Sequence, residues 1–213
     1  MSDGTDDGAG SAGHGPVATG DAADPVHVAG VPGSLREGSH ARTALDRALV
    51  GAESVGARTD LIDLRDLDLP LFDADERDAG DAPELRERIR AADSVILATP
   101  MYHGSYSSVL KTALDYSGFD EFEGTTVGLL AVSGGSFPIT ALDHLRSVCR
   151  ALDAWVLPYE AGVPNASSRI EDGHFVDGEV ERRVETLGLR AVQYAEIEPD
   201  PRTFESDQNV GAE

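Results

Sequence analysis

Residues 33–39, GSLREGS, bring together the residue types that hold an anion. Gly33 supplies backbone freedom and close approach, Ser34 and Ser39 supply hydroxyl donors, and Arg36 supplies a planar fork of N–H groups suited to phosphate oxygens. A helical pattern starts directly afterwards at His40, and the first N–H groups of a helix are unpartnered and carry the positive end of its dipole. The segment is expected to cradle a phosphate. It is not a dinucleotide fingerprint, because AGVPGSLREG lacks G-x-G-x-x-G, and it is not a P-loop, because Ser39 stands where that loop needs lysine. Nucleoside triphosphate hydrolysis is therefore not expected. The plainer alternative is a turn that only caps a helix through Ser39.

Other reactive side chains are few. Cys149 is the one cysteine, so no intramolecular disulfide can form, and its place in a helical pattern reads as a small core residue. His14, His27, His40, His144 and His174 show no ligand spacing, so no metal site is expected. Lys111, the single lysine, reads as packing and pairing on a helix surface.

The elements that must position the loop alternate between strand and helix. VHVAGV (26–31) is a strand, followed by a helix from His40 to about Val50. RTDLIDL (58–64) is a second strand, and the acidic, proline-bearing stretch 66–84 reads as a surface loop leading to a helix that starts at Pro83 and runs to about Ala92. SVILAT (94–99) is a continuous apolar strand of the kind buried on both faces, ended by Pro100. A helix from Ser107 to Tyr116, a fourth strand at 125–133 closed by Gly134 and Gly135, an amphipathic helix over 139–154, a short fifth strand WVLPY and a helix over 178–197 complete the pattern. Such alternation predicts an α/β fold: a doubly wound, five-stranded parallel sheet between two layers of helices. Ligands of such sheets sit beyond the carboxyl ends of the strands, which selects the loops 33–39, 100–106 and 133–138.

The charge is the most unusual global property. There are 39 acids against 17 bases, a formal net charge of -22, and sixteen of the bases are arginine. Self-repulsion of that size calls for screening by salt, so the composition is read as that of a halophilic source. Nucleic acid and anionic membranes are not expected as partners, since both require basic patches. No apolar run approaches the roughly 20 residues of a membrane span, and MSDGTDDG does not resemble a secretory signal. A cytoplasmic location is the default. Residues 1–24 and 198–213 are expected to be acidic tails, the first of them disordered, around a domain at 25–197.

Several stretches resemble one family, the NAD(P)H-dependent FMN reductases. They are GSLREGS (33–39), LDLPLFDAD (67–75), ADSVILATPMYHGSYSSVLKTALDY (92–116) and VGLLAVSGGSFP (127–138) with the LDHLRSVCRAL helix, so the likeness covers about residues 26–158. It implies a flavodoxin-like fold, bound FMN and NADPH or NADH as reductant. Ser34, Arg36 and Ser39 match the family's phosphate-binding positions. Pro100, Met101, Tyr102, His103 and Gly104 match the loop along the isoalloxazine ring, and Ser133, Gly134 and Gly135 the loop near its pyrimidine edge. Met101 and His103 depart from the acidic residue and asparagine often found there. The implied reaction is ping-pong, with electrons passing to an acceptor such as a quinone, free flavin, azo compound or metal oxyanion. It needs stacking and alignment rather than a side-chain base, so no catalytic residue is assigned. The likeness also implies a homodimer or homotetramer. The alternatives are a non-enzymatic, flavodoxin-type electron carrier, against which Arg36 speaks, and a flavin-free regulatory domain.

Overall fold

The structure, a computed structural model, describes residues 24–195. The tails expected at 1–24 and 198–213 lie outside the described residues, apart from Asp24. Five strands form one parallel sheet in the order β2-β1-β3-β4-β5: β1 is His27–Pro32, β2 Arg58–Leu61, β3 Ser94–Pro100, β4 Thr126–Val132 and β5 Trp155–Val163. The helices are α1 His40–Glu53, α2 Ala82–Arg90, α3 Ser108–Tyr116, α4 Phe119–Phe122, α5 Ile139–Ala151 and α6 Gly178–Gln193. An antiparallel hairpin of β6, Ile170–Glu171, and β7, His174–Phe175, precedes α6.

Period-two alternation divides the core between the two faces of the sheet. Val28, Ile96, Ala98 and Leu130 face Leu45, Val184 and Leu187 of α1 and α6. Ala29, Val95, Leu97 and Leu129 face Leu85, Leu110 and Leu145 of α2, α3 and α5. Because β3 and β4 are covered on both sides, all their residues from Ser94 to Thr99 and from Thr126 to Val132 are buried, and each large apolar side chain so removed from water contributes about 1.5–3 kcal/mol. Helices α1 and α6 meet closely at Gly188, where a Cβ would lie 1.8 Å from the Ala48 carbonyl oxygen. The connections run from β1 outward to β2 on one side and to β3, β4 and β5 on the other, so the sheet's switch point is the crevice between the ends of β1 and β3.

Several element boundaries differ from those expected: α1 runs on to Glu53 and α6 ends at Gln193. β2 stops at Leu61 because Ile62, Asp63 and Leu64 turn into the interior instead of continuing the ladder, although the Ile62 N–H still bonds the Gly30 carbonyl at 2.8 Å. α5 ends at Ala151, closed by a turn at Leu152 and Asp153, the latter at φ 53°. β5 is nine residues long, not five. It passes through Pro158 with a register shift opposite Val127 and Leu129, as an edge strand can, and carries on to Val163.

Candidate functional site

The chain leaves β1 at Gly33 and stays attached to the sheet for one more residue: the Gly33 N–H donates to the Ala98 carbonyl at 2.7 Å. Its own carbonyl accepts from Ser107 Oγ at 2.6 Å, and Ser107 Oγ also caps α3 by accepting from the Leu110 N–H at 3.2 Å. A Cβ at Gly33 would sit 2.6 Å from Leu110 Cβ and 2.8 Å from Ser107 Oγ. Glycine is thus required here by contact with α3, not by the backbone freedom anticipated from sequence, since Gly33 is not among the residues of positive φ.

Ser34 and Ser39 are both buried, at 5% exposure each, on either side of the exposed Leu35, Arg36, Glu37 and Gly38. Ser39 is the N-cap of α1, its Oγ accepting from the Arg42 N–H at 3.2 Å. Ser39 thus caps the helix, and the cap leaves its hydroxyl proton available as a donor. No acidic residue occupies the first turn of α1, so the field of its N-terminus is not neutralised from within the helix. Arg42, in that turn, is drawn sideways into an ion pair with the buried Asp63, which Arg65 also binds. Burial works to raise the Asp63 carboxyl, but hydrogen bonds from Arg65 and the charge of Arg42 outweigh it and hold the group below the usual carboxylate range. The network ties the first turn of α1 to the chain leaving β2.

Loop 100–106 starts with Met101, whose N–H donates to the Val132 carbonyl at 2.8 Å. Tyr102 and Ser105 exchange backbone hydrogen bonds at 3.0 Å around a tip made by His103, φ 51°, and Gly104, φ 80°. In loop 133–138, Ser133 is buried and its Oγ donates to the Gly135 carbonyl at 2.7 Å. Among the described residues a Cβ at Gly134 or Gly135 would meet no atom within 4 Å beyond its chain neighbours, and neither residue has positive φ. Nothing among the described residues demands glycine at these two positions, whereas a group approaching the backbone from outside would.

These loops meet at one cavity of about 390 Å³, in the size range of small-molecule sites. Of the residues anticipated from sequence, Ser34, Arg36, Ser39, Pro100, Met101, Tyr102, Ser133 and Gly134 line it. His103, Gly104 and Gly135 do not: the first two form the tip of the turn, and Gly135 has its carbonyl engaged by Ser133 and by the Asn165 N–H at 2.9 Å. Sequence reasoning missed His40 and Ala41, which open α1, and a fourth loop after β5 that contributes Ala166 and Ser167. That loop is joined to the third by the Ala166 N–H donating to the Ser133 carbonyl at 2.9 Å. Among the described residues no carboxylate lines the cavity, although the chain carries 39 acids. A larger apolar hollow, about 530 Å³, lies between β5 and the end of α6 against Trp155, Tyr159 and Tyr194, and none of the strand-end loops reaches it.

The remaining candidates take no part. Burial pushes the Cys149 thiol up to about 12, which leaves no thiolate at neutral pH. Lys111 pairs with Asp115 one helical turn away. Among the described residues no group of His, Cys, Asp and Glu could hold a metal ion, and no helix is long and apolar enough to cross a membrane.

The sequence profile described as NADPH-dependent FMN reductase matches residues 26–168. An FMN-dependent NADPH-azoreductase of Staphylococcus haemolyticus is 34% identical over 160 residues, covering 67% of this chain and 80% of that one. The enzyme of the same description from Staphylococcus aureus is 36% identical over 119 residues, 54% of this chain and 63% of its own length. Among solved structures, a flavoenzyme NAD(P)H:(acceptor) oxidoreductase from Paracoccus denitrificans superposes with a TM-score of 0.68 at 21% identity, covering 80% of this chain and 97% of that one. An archaeal flavodoxin superposes with a TM-score of 0.56 at 12% identity, over 81% of this chain and 100% of its own.

Proposed function

The chain belongs to the NADPH-dependent FMN reductase family, and from that premise we propose that the cavity at the ends of β1, β3, β4 and β5 holds FMN and presents its ring to NAD(P)H and then to a small acceptor. The protein is an FMN-dependent oxidoreductase with a flavodoxin-like fold. One observation supports the placement: in a chain of net charge -22, the described residues that line the cavity include Arg36, buried serines and the opening residues of α1, and no carboxylate is among them. Such a lining suits a dianionic phosphate.

The kinds of residue that line the cavity suit the parts of the cofactor. Ser34, Ser39, Arg36 and the first N–H groups of α1 would hold the phosphate. Pro100, Met101 and Tyr102 would border the ring, and Gly134 would leave room for its polar edge to reach the backbone. His103 and Gly104 shape the turn between Tyr102 and Ser105. Bound FMN supplies two-electron chemistry, accepting a hydride from NAD(P)H and yielding electrons to the acceptor. No residue of the chain needs to act as a base or nucleophile, consistent with the inert Cys149 thiol. The name of the S. haemolyticus relative supports an azo compound as acceptor, with quinones and free flavin sharing its planar, reducible character. Tyr102, Phe137 and Ile139, exposed by 51%, 74% and 50% on the loops and helix at this edge, support a homodimer or tetramer joined near the site. The composition supports a cytoplasmic enzyme working in concentrated salt. The membership of a reductase family disfavours the electron-carrier alternative.

Turnover tests the reading: protein reconstituted with FMN should decolourise an azo dye with NADPH under anaerobic conditions, and the apoprotein should not. A yellow holoprotein that reduces neither azo dyes, quinones nor free flavin would overturn the enzyme assignment in favour of the carrier.

A further inference from the structure

The turn beside the proposed ring site is gripped on both legs by one helix. Thr140 and His144 stand one turn apart on α5 and share a face. Thr140 Oγ1 donates to Met101 Sδ at 3.6 Å, on the incoming leg, and His144 Nδ1 lies 3.0 Å from Ser105 Oγ, on the outgoing leg. Between them the chain turns through His103 and Gly104, both in the left-handed region. Two successive residues of positive φ make a tight hairpin turn, which glycine adopts freely and histidine only when its surroundings hold it. The roots of the turn are fastened to the sheet, through Met101 N–H to the Val132 carbonyl and Ser107 N–H to Thr99 Oγ1 at 3.0 Å. The outgoing leg has the His144 contact as its side-chain tether.

We propose that His144, assisted by Thr140, is a positioning residue that holds Ser105 and thereby fixes the height of Met101 and Tyr102 beside the flavin ring. This rests on the flavin site proposed above. Both partners are exposed or half-exposed, so the bond adds little to folding stability and acts on the placement of the turn. It also survives a change of protonation, because neutral imidazole can accept the Ser105 hydroxyl proton or donate to its oxygen, and imidazolium still donates. The consequence lies in alignment: displacements of about 1 Å in a reacting pair can slow a reaction by about 100-fold, and the turn carries two residues of the cavity wall.

The test compares His144→Phe, which keeps a ring and loses Nδ1, with His144→Asn, which keeps a polar atom at nearly the same place. In the apoprotein, the Tyr102 and Ser105 amide protons should exchange faster in His144→Phe than in wild type or His144→Asn. In the FMN-loaded enzymes, His144→Phe should shift the visible flavin spectrum and slow anaerobic flavin reduction about tenfold at saturating NADPH, with KM unchanged. His144→Asn should restore both, Ser105→Ala should reproduce the defect, and the double variant should be no worse than either single one. Unchanged exchange in His144→Phe, or wild-type spectrum and reduction rate in that variant, would overturn the inference. Failure of the wild type to take up FMN would overturn the flavin site and leave the exchange measurement to decide the tether by itself.

Discussion

Two glycine substitutions separate what the protein needs from what its ligand needs. In Gly33→Ala the new Cβ arrives 2.6 Å from Leu110 Cβ and 2.8 Å from Ser107 Oγ. Leu110 Cβ is fixed to the backbone of α3 and cannot rotate away, and Ser107 Oγ is held between the Gly33 carbonyl and the Leu110 N–H. Overpacking of this kind costs about 1–3 kcal/mol, and losing the Ser107 bond adds about 1 kcal/mol. For a chain of this length each kcal/mol lowers Tm by about 2–4 °C, so the apoprotein should melt about 4–16 °C below wild type. Gly134→Ala places its Cβ in open space, so its apoprotein should melt with wild type while FMN affinity falls about tenfold or more, equivalent to about 1.4 kcal/mol. Calorimetry of the apoproteins and flavin titration of each provide the readings. A Gly33→Ala variant as stable as wild type would refute the packing argument, and a Gly134→Ala variant that binds FMN normally would refute the assignment of that loop to the ligand.

Removing the guanidinium in Arg36→Ala should weaken FMN binding about tenfold, the lower end for a charge-assisted hydrogen bond at an exposed side chain, and leave riboflavin, which has no phosphate, unaffected; equal effects on both ligands in a fluorescence titration would place the phosphate elsewhere. Cys149 should resist alkylation in the folded protein at neutral pH, because burial holds its thiol at about 12, and rapid labelling followed by mass spectrometry would contradict its placement. The Arg88 hydrogen bond holds the Asp60 carboxyl below its ordinary value, so the stability this pair contributes is present above the unfolded pKa of about 3.9 and is lost as pH falls through the lower folded value. Asp60→Asn should accordingly melt earlier than wild type at neutral pH, with the gap closing below about pH 4; a gap that persists in acid would contradict the sign. With a net charge of -22, Tm should rise as sodium chloride is raised to molar levels, where the screening length falls to about 3 Å, and a flat response would remove the argument for a salt-adapted chain.

The sheet was legible because its central strands carry unbroken apolar runs, as SVILAT does, and because Gly and Pro close them. What escaped has local causes. Pro158 and Glu160 made β5 look finished at Tyr159, and with the strand cut short the Asn165–Ser167 loop could not be assigned to the sheet edge where it lines the cavity. Helix α4 has four residues, too few for a period to show. The two-residue strands β6 and β7 were equally short, although the Asp172-Gly173 pair between them, at φ 47° and 79°, is a hairpin signal that could have been read. In the site, residue types pointed to the phosphate cradle, but the reason for Gly33 is a contact with a helix some 75 residues later in the chain, the Ser107 bond spanning |i−j| of 74. The tethering of Ser105 by His144, across |i−j| of 39, is long-range in the same way. Spacing along a chain cannot reveal either.

On the proposed reading this cavity binds FMN and NAD(P)H reduces it there. Anaerobic titration of the FMN-loaded protein with NADPH tests it most directly: the visible band of oxidised flavin should bleach in proportion to the reductant added and return when an azo dye or quinone is introduced. A protein that takes up no FMN, or whose bound flavin stays oxidised in excess NADPH and NADH alike, would contradict the account.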